Sequence, residues 1–103
     1  MRVSERCEEL RAVIITRMVV HAEQLERSLG VFRDMQADVH ANEPDTVFYQ
    51  YYQSVDDRTV FWVHEVFASE AAKQHHLGRH PQRRKDFDEI LAQPPEFFMV
   101  HEI

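Results

Sequence analysis

Three histidines lie close together in the second half of the chain, and their chemistry is the easiest to assign. His75, His76 and His80 fall within a stretch of six positions. An imidazole titrates near neutral pH, so it can take or give a proton under cellular conditions. We identify His76 as the candidate general base or acid. The alternative is a half-buried helix histidine that only packs or makes local hydrogen bonds.

The same histidines raise the question of a metal site. His76 and His80 would share one face of a continuous helix, an arrangement that can hold a metal ion. Gly78 and Pro81 are expected to interrupt that helix, and no cysteine or carboxylate stands at an obvious ligand spacing. The sequence therefore predicts no metal site.

Charged side chains interrupt two apolar stretches that otherwise have the composition of strands. Arg17 stands within AVIITRMVV, and His64 and Glu65 stand within VFWVHEVF. If these strands are neighbours, Arg17 can pair with Glu65 across the ladder. Such a pair would be either a structural ion pair or dimer contact, or a polar group on a pocket floor that orients a phenolic or carboxylate substrate.

The elements that position these residues follow from the hydrophobic periodicity. Apolar residues at steps of three and four predict an amphipathic helix over 23–42. A second helix is expected over 69–77 with Ser69 as its N-cap, and a further helical piece surrounds Phe87. β-branched and aromatic runs predict strands at 12–20, 47–54, 60–67 and 97–103.

The predicted order β-α-β-β-α-β is that of the ferredoxin-like α+β fold, in which a four-stranded antiparallel sheet carries both helices on one face. Strand 60–67 is apolar on both sides, with Trp62 and Val66 on one and Val63 and Phe67 on the other. A sheet face exposed to water should be mostly polar, so a second layer must cover it. We expect a homodimer packed sheet against sheet, with a closed hollow beneath the helices of each copy.

Composition limits the class of protein. The 103 residues and 12.3 kDa correspond to one domain, which we divide into a polar arm at 1–11 and a folded part at 12–103. A net charge of −6 argues against a nucleic-acid partner. No apolar run approaches the ~20 residues of a membrane helix, and the charged start does not resemble a signal peptide. A single cysteine, Cys7, excludes an internal disulfide framework, and we expect a cytoplasmic protein.

Three stretches of the chain resemble the antibiotic biosynthesis monooxygenase family. Residues 42–44 (NEP) followed by VFYQYYQSVDDRTVFWVHEVF are similar to that family's hairpin, with Glu65 and Phe67 at its acid and aromatic positions. The run SEAA leading to His76 and Leu77 is similar to the family's SEEALxxHL segment. His80-Pro81 resembles, in reversed order, the Pro/His pair that follows it. The likeness spans about residues 12 to 102.

The chain departs from the heme-degrading members of the same superfamily. Those proteins use an Asn, a Trp and a His around the porphyrin, and the aligned positions here are near Thr16, His76 and Asp86. All three residue types differ. We therefore do not transfer heme breakdown to this chain.

The resemblance implies a small oxygenase that needs no flavin, heme or metal cofactor and that oxidises a quinol or polyketide-like aromatic molecule with dioxygen. An electron-rich phenolate can itself reduce oxygen, so the protein need only supply a dry cavity, a base and polar groups. The alternative is a non-catalytic dimeric module that binds a small molecule, or an isomerase on the same scaffold. The candidate residues are His76, Glu65 and Arg17 for catalysis, and His64, Trp62, Phe67 and His80 for substrate binding.

Overall fold

The computed structural model describes residues 10–79 and 83–103. Most of the predicted polar arm, together with Cys7 and His80, lies outside these residues. A short 3-10 turn at Ala22–Gln24 precedes the first helix. The strands are β1 (Ala12–Val19), β2 (Thr46–Gln53), β3 (Val60–Phe67) and β4 (Glu96–His101), and the helices are α1 (Leu25–Asn42), α2 (Glu70–Arg79) and α3 (Arg84–Ile90).

The four strands form one antiparallel sheet in the order β2-β3-β1-β4, which confirms the predicted ferredoxin-like α+β fold. The Ser69 hydroxyl accepts a hydrogen bond from the backbone N–H of Ala72 at 3.1 Å, as expected of the N-cap of α2. The helix α2 extends two residues past its predicted end, through Gly78 to Arg79, and the separate helix α3 begins at Arg84. A glycine within a helix costs only about 1 kcal/mol, so Gly78 can form part of the last turn.

Strict alternation along the strands assigns each side chain to one of two sheet faces. Thr16 of β1 lies opposite Val63 of β3, and Ile14 lies opposite Glu65. These side chains are buried on the face that the helices cover, which we call the helix face. The core on this face joins Phe32, Met35 and Val39 of α1 to Phe61 and Val63 of β3 and Ile90 of α3.

The opposite surface of the sheet, which we call the open face, is also largely apolar. Arg17 belongs to it, because Arg17 lies opposite Trp62 in β3 and Glu96 in β4. The predicted pairing of Arg17 with Glu65 is therefore wrong: the two side chains point to opposite faces, and Arg17 instead approaches Glu96 at 3.9 Å. The apolar residues of the open face are Val13, Ile15, Val19, Phe48, Tyr52, Val60, Trp62, Val66, Phe98 and Val100.

None of the helices within 10–79 and 83–103 combines the length and the apolar character that crossing a membrane requires.

Candidate active site

His76 lies between two glutamates that come from distant parts of the chain. Its Nδ1 is 2.8 Å from Oε1 of Glu43, and its Nε2 is 3.1 Å from Oε1 of Glu65. All three residues are buried. Because an ionised carboxylate only accepts hydrogen bonds, Nδ1–H of His76 donates to Glu43. Charged side chains are almost never fully buried unless they are paired, and such buried titratable groups are often functional.

Glu43 is held by three donors, one from β2 and two from α2. Thr46 Oγ1 donates to its Oε1 at 2.8 Å, and Nη1 of Arg79 donates to its Oε2 at 2.7 Å. The other side of the Arg79 guanidinium contacts Asp38 at 3.2 Å, nearer the surface. With His76 as the third donor, these contacts compensate for the cost of burying the Glu43 carboxylate. The result is a continuous chain of ionic contacts from the half-exposed Asp38 to the buried Glu65.

The surroundings of His76 favour its protonated form. Burial lowers the pKa of His76, but hydrogen bonds and charges from Glu65 and Glu43 outweigh burial, so the net pKa lies above the usual 6.5. His76 also stands in the last turn of α2, where the helix dipole stabilises a cation. The imidazole and the Glu65 carboxylate thus form a buried ion pair.

A cavity of about 440 Å³ lies against this pair, between the sheet and the helices α2 and α3. That volume is in the usual range for small-molecule sites. In the single chain the cavity is open to solvent, because the lining residues Phe97 and Met99 are 60% and 57% exposed. The closed hollow expected within a dimer stays a prediction. Apolar side chains form most of the wall, among them Ile14, Met18, Met35, Val63, Phe87 and Met99.

Two tyrosines contribute hydroxyl groups to the cavity. Tyr49 and Tyr51 share a hydrogen bond of 2.9 Å between their hydroxyl oxygens. Burial raises the pKa of both hydroxyls well above that of a free tyrosine. They remain protonated at neutral pH and act as hydrogen-bonding groups, so the Glu65–His76 pair is the better candidate for a base.

The structure brings together some of the residues that the sequence singled out and separates others. Glu65 and His76 meet at the cavity. Phe67 packs against the His76 ring at a centroid distance of 5.2 Å and supports it from the core. Trp62 and His64 lie with Arg17 on the open face, away from the cavity, because their positions alternate with those of Val63 and Glu65. His80 lies outside the described residues.

Glu43 is the site residue that the sequence analysis missed. In the sequence it stands out only as part of the NEP run of the family resemblance, and in the structure it is the C-cap of α1. A carboxylate is unfavourable at that end of a helix, where the dipole is negative. A glutamate at the C-terminal end of a helix therefore indicates that cationic side chains compensate for it, and in the structure these are His76 and Arg79.

Comparison with known proteins agrees with this fold and with the resemblance noted in the sequence. The model of the antibiotic biosynthesis monooxygenase family matches residues 11–90, and the chain belongs to that family. No curated protein sequence matches the chain.

Solved structures share the fold at low sequence identity. A candidate antibiotic biosynthesis monooxygenase from Caulobacter crescentus has a TM-score of 0.88 and 24% identity, with 97% of this chain and 96% of that chain covered. The corresponding protein from Nitrosomonas europaea has a TM-score of 0.81 and 20% identity, with 90% of each chain covered. A conserved protein from Methanosarcina mazei reaches 0.83 at 13% identity, covering 96% of this chain and 99% of its own.

Proposed function

We propose that this protein is a monooxygenase that needs no cofactor and inserts one oxygen atom of dioxygen into a quinol or a related electron-rich phenol. The observation that carries the proposal is the Glu65–His76 pair, which faces an apolar cavity large enough for a small aromatic ring system. Membership of the antibiotic biosynthesis monooxygenase family supports the same class of reaction.

The first step is removal of a phenolic proton from the substrate. A substrate hydroxyl placed at the cavity end of the pair would give its proton to the Glu65 carboxylate, while the protonated His76 holds that carboxylate in place through Nε2. Glu43 and Arg79 keep the imidazole oriented through Nδ1. A substrate ring bound against the apolar wall displaces water, and this strengthens the interaction between the anion and the imidazolium.

The electrons for oxygen reduction come from the substrate itself. The phenolate transfers one electron to dioxygen, and the resulting radical pair combines to form a C–O bond and a hydroperoxide. Loss of water from the hydroperoxide leaves a new C=O or C–OH group. For 1,4-dihydroxynaphthalene the balance is C10H8O2 + O2 → C10H6O3 + H2O, with 2-hydroxy-1,4-naphthoquinone as the product.

The experiment uses 1,4-dihydroxynaphthalene and ¹⁸O2 with protein that has been dialysed against a chelator. We expect 2-hydroxy-1,4-naphthoquinone that carries one ¹⁸O atom, formed faster than in buffer alone. Mass spectrometry of the product and metal analysis of the protein are the measurements. Formation of 1,4-naphthoquinone and hydrogen peroxide only, at the rate found without protein, would overturn the proposal.

Variants of the neighbouring histidines test the assigned Glu65–His76 pair. His76→Asn should lower kcat/KM by 100-fold or more, a usual contribution of an acid–base group. His75→Asn is the matched control, because His75 is exposed on the same helix and does not line the cavity. Equal activity of the two variants would remove His76 from the mechanism.

We also propose that two copies pack through their open faces. Four large apolar side chains of this face, Phe48, Tyr52, Phe98 and Val100, are 42–49% exposed in one chain. A contiguous apolar surface of this kind marks an interaction site in a soluble protein. Because the face is carried by a regular sheet, a second copy of the same sheet provides a cover of matching shape.

An isomerase on the same scaffold is the second candidate, since a pair that takes a proton can also return it to another atom. Dioxygen consumption would then be absent, whereas the protein would exchange substrate hydrogen for solvent deuterium. A binding module without catalysis would show neither reaction.

A further inference from the structure

The hydroxyl group of Thr16 is buried on the cavity floor with no hydrogen-bond partner in residues 10–79 and 83–103. The residue is 3% exposed and sits in the middle of β1. Other hydroxyls are satisfied: Ser28 donates to the Gln24 carbonyl at 2.7 Å, and Thr46 donates to Glu43. A buried hydroxyl without a partner is costly, and each such group in a folded protein calls for an explanation.

The position of Thr16 relates it to the acid–base pair. Thr16 lies opposite Val63, and Glu65 is two residues further along β3 on the same helix face. Diagonal neighbours of this kind stand roughly 7–8 Å apart. One aromatic ring bound over the sheet can therefore present one oxygen to Glu65 and His76 and a second oxygen to Thr16.

We propose that Thr16 is a substrate-binding residue whose hydroxyl bonds the second oxygen of a dioxygenated ring and so selects quinols over simple phenols. This inference rests on the proposed function and names its substrate class more narrowly. A threonine hydroxyl both donates and accepts, so it can bond the hydroxyl of a quinol or the carbonyl of the quinone product. Valine has nearly the same shape and would bind neither.

The test measures binding without turnover. Calorimetric titrations under nitrogen compare 1,4-dihydroxynaphthalene with 1-naphthol, which lacks the second oxygen. We expect Thr16→Val to weaken binding of 1,4-dihydroxynaphthalene about tenfold, the usual worth of one hydrogen bond, and to leave 1-naphthol within twofold. Thr16→Ser should retain the preference. Equal losses for both ligands, or none for either, would overturn the proposal.

Thermal unfolding without ligand gives a second readout. Thr16→Val should melt at or above the wild-type temperature, because it removes an unsatisfied buried group. Thr46→Val, which removes a satisfied hydroxyl, should melt lower. A lower melting temperature for Thr16→Val would mean that the hydroxyl has a structural partner, and the proposal would fall.

The two proposals can fail separately. If binding shows the Thr16-dependent preference but air produces no oxygenated product, the monooxygenase function is wrong and the Thr16 site stands. If the oxygenated product forms but Thr16→Val keeps the full preference, the function stands and the Thr16 assignment is wrong.

Discussion

Both faces of the sheet are largely apolar, but their charged side chains differ in burial and in how closely they are paired. On the helix face, Glu65 is buried and its charge is met by His76 at 3.1 Å. On the open face, Arg17 and Glu96 approach only to 3.9 Å, and both remain partly exposed. A charge under the helices needs a partner in place, whereas a charge on an accessible surface can still be hydrated.

This difference supports the proposal of an active site on the helix face and of a dimer contact on the open face. The buried Glu65 carboxylate and His76 imidazole attract each other strongly, since little water screens them. The charges of the open face are few and lie among large apolar side chains, as at the edge of an assembly contact. Substitutions on the helix face are therefore expected to change stability and activity, whereas substitutions on the open face are expected to change dimer formation.

The largest effect is expected from Glu43→Gln on the helix face. The change leaves Arg79 and His76 without their shared anion, so we expect a loss of about 2–3 kcal/mol in the free energy of unfolding and at least a tenfold fall in kcat/KM. Urea unfolding and steady-state rates are the measurements. Asp38→Asn is the control, because it touches the same Arg79 from the more exposed side and should cost under about 1 kcal/mol. Equal losses for the two variants would show that burial does not set the importance of Glu43.

The next effect concerns the open face. Trp62→Glu places a charge in the middle of the proposed dimer contact, and we expect the dimer dissociation constant to rise about 100-fold or more. Sedimentation velocity over a range of protein concentrations measures it. Val55→Glu is the control, because Val55 is an exposed apolar residue in the turn between β2 and β3. A wild-type protein that is monomeric at high concentration would remove the dimer proposal.

A smaller effect is the pH dependence that His76 gives to stability. Its folded pKa is raised above the unfolded value of 6.5, so its stabilising contribution is fully present below about pH 6.5 and is lost as pH rises through the raised folded value. The gap in unfolding free energy between wild type and His76→Gln should narrow over that interval. Urea titrations from pH 5 to 9 measure the gap. His75→Gln should show no such narrowing, and a gap that widens with pH would contradict the assigned direction.

The smallest effect is expected from Arg17→Met. The contact of Arg17 with Glu96 is long and partly exposed, so we expect less than about 1 kcal/mol in stability and kcat/KM within twofold of wild type. Glu96→Gln should behave alike. A tenfold fall in kcat/KM for Arg17→Met alone would return Arg17 to the catalytic residues and would show that the two faces are not separate.

Much of the fold was predictable because its signals are local. The run VFWVHEVF marked β3, and the steps of three and four from Leu25 to Val39 marked α1. The same alternation could have separated Arg17 from Glu65, but only with the register known. A shift of one residue in strand pairing moves every side chain to the other face, and the sequence does not state which residues lie opposite each other.

The site was predictable only in part. His76 and Glu65 could be selected as titratable residues in elements with a family resemblance. Glu43 is 33 positions from His76, and nothing in the sequence links the two residues. The sequence likewise does not show that the Thr16 hydroxyl lacks a hydrogen-bond partner within the described residues. In the sequence, Thr16 is only one of several β-branched residues in a predicted strand.

By itself, the sequence determined the order of the strands and helices, the alternation that makes both faces of β3 apolar, and the choice of His76 as the acid–base candidate. These depend on spacings of two to four residues, which short-range geometry imposes wherever the chain lies. Tertiary packing alone decided that Glu43 and Glu65 enclose His76, that Arg17 lies on the far side of the sheet, and that Thr16 faces a cavity. Contacts between residues that are far apart in the sequence depend on how the elements pack. The same packing excludes water from the site, and this strengthens the interactions between its charges.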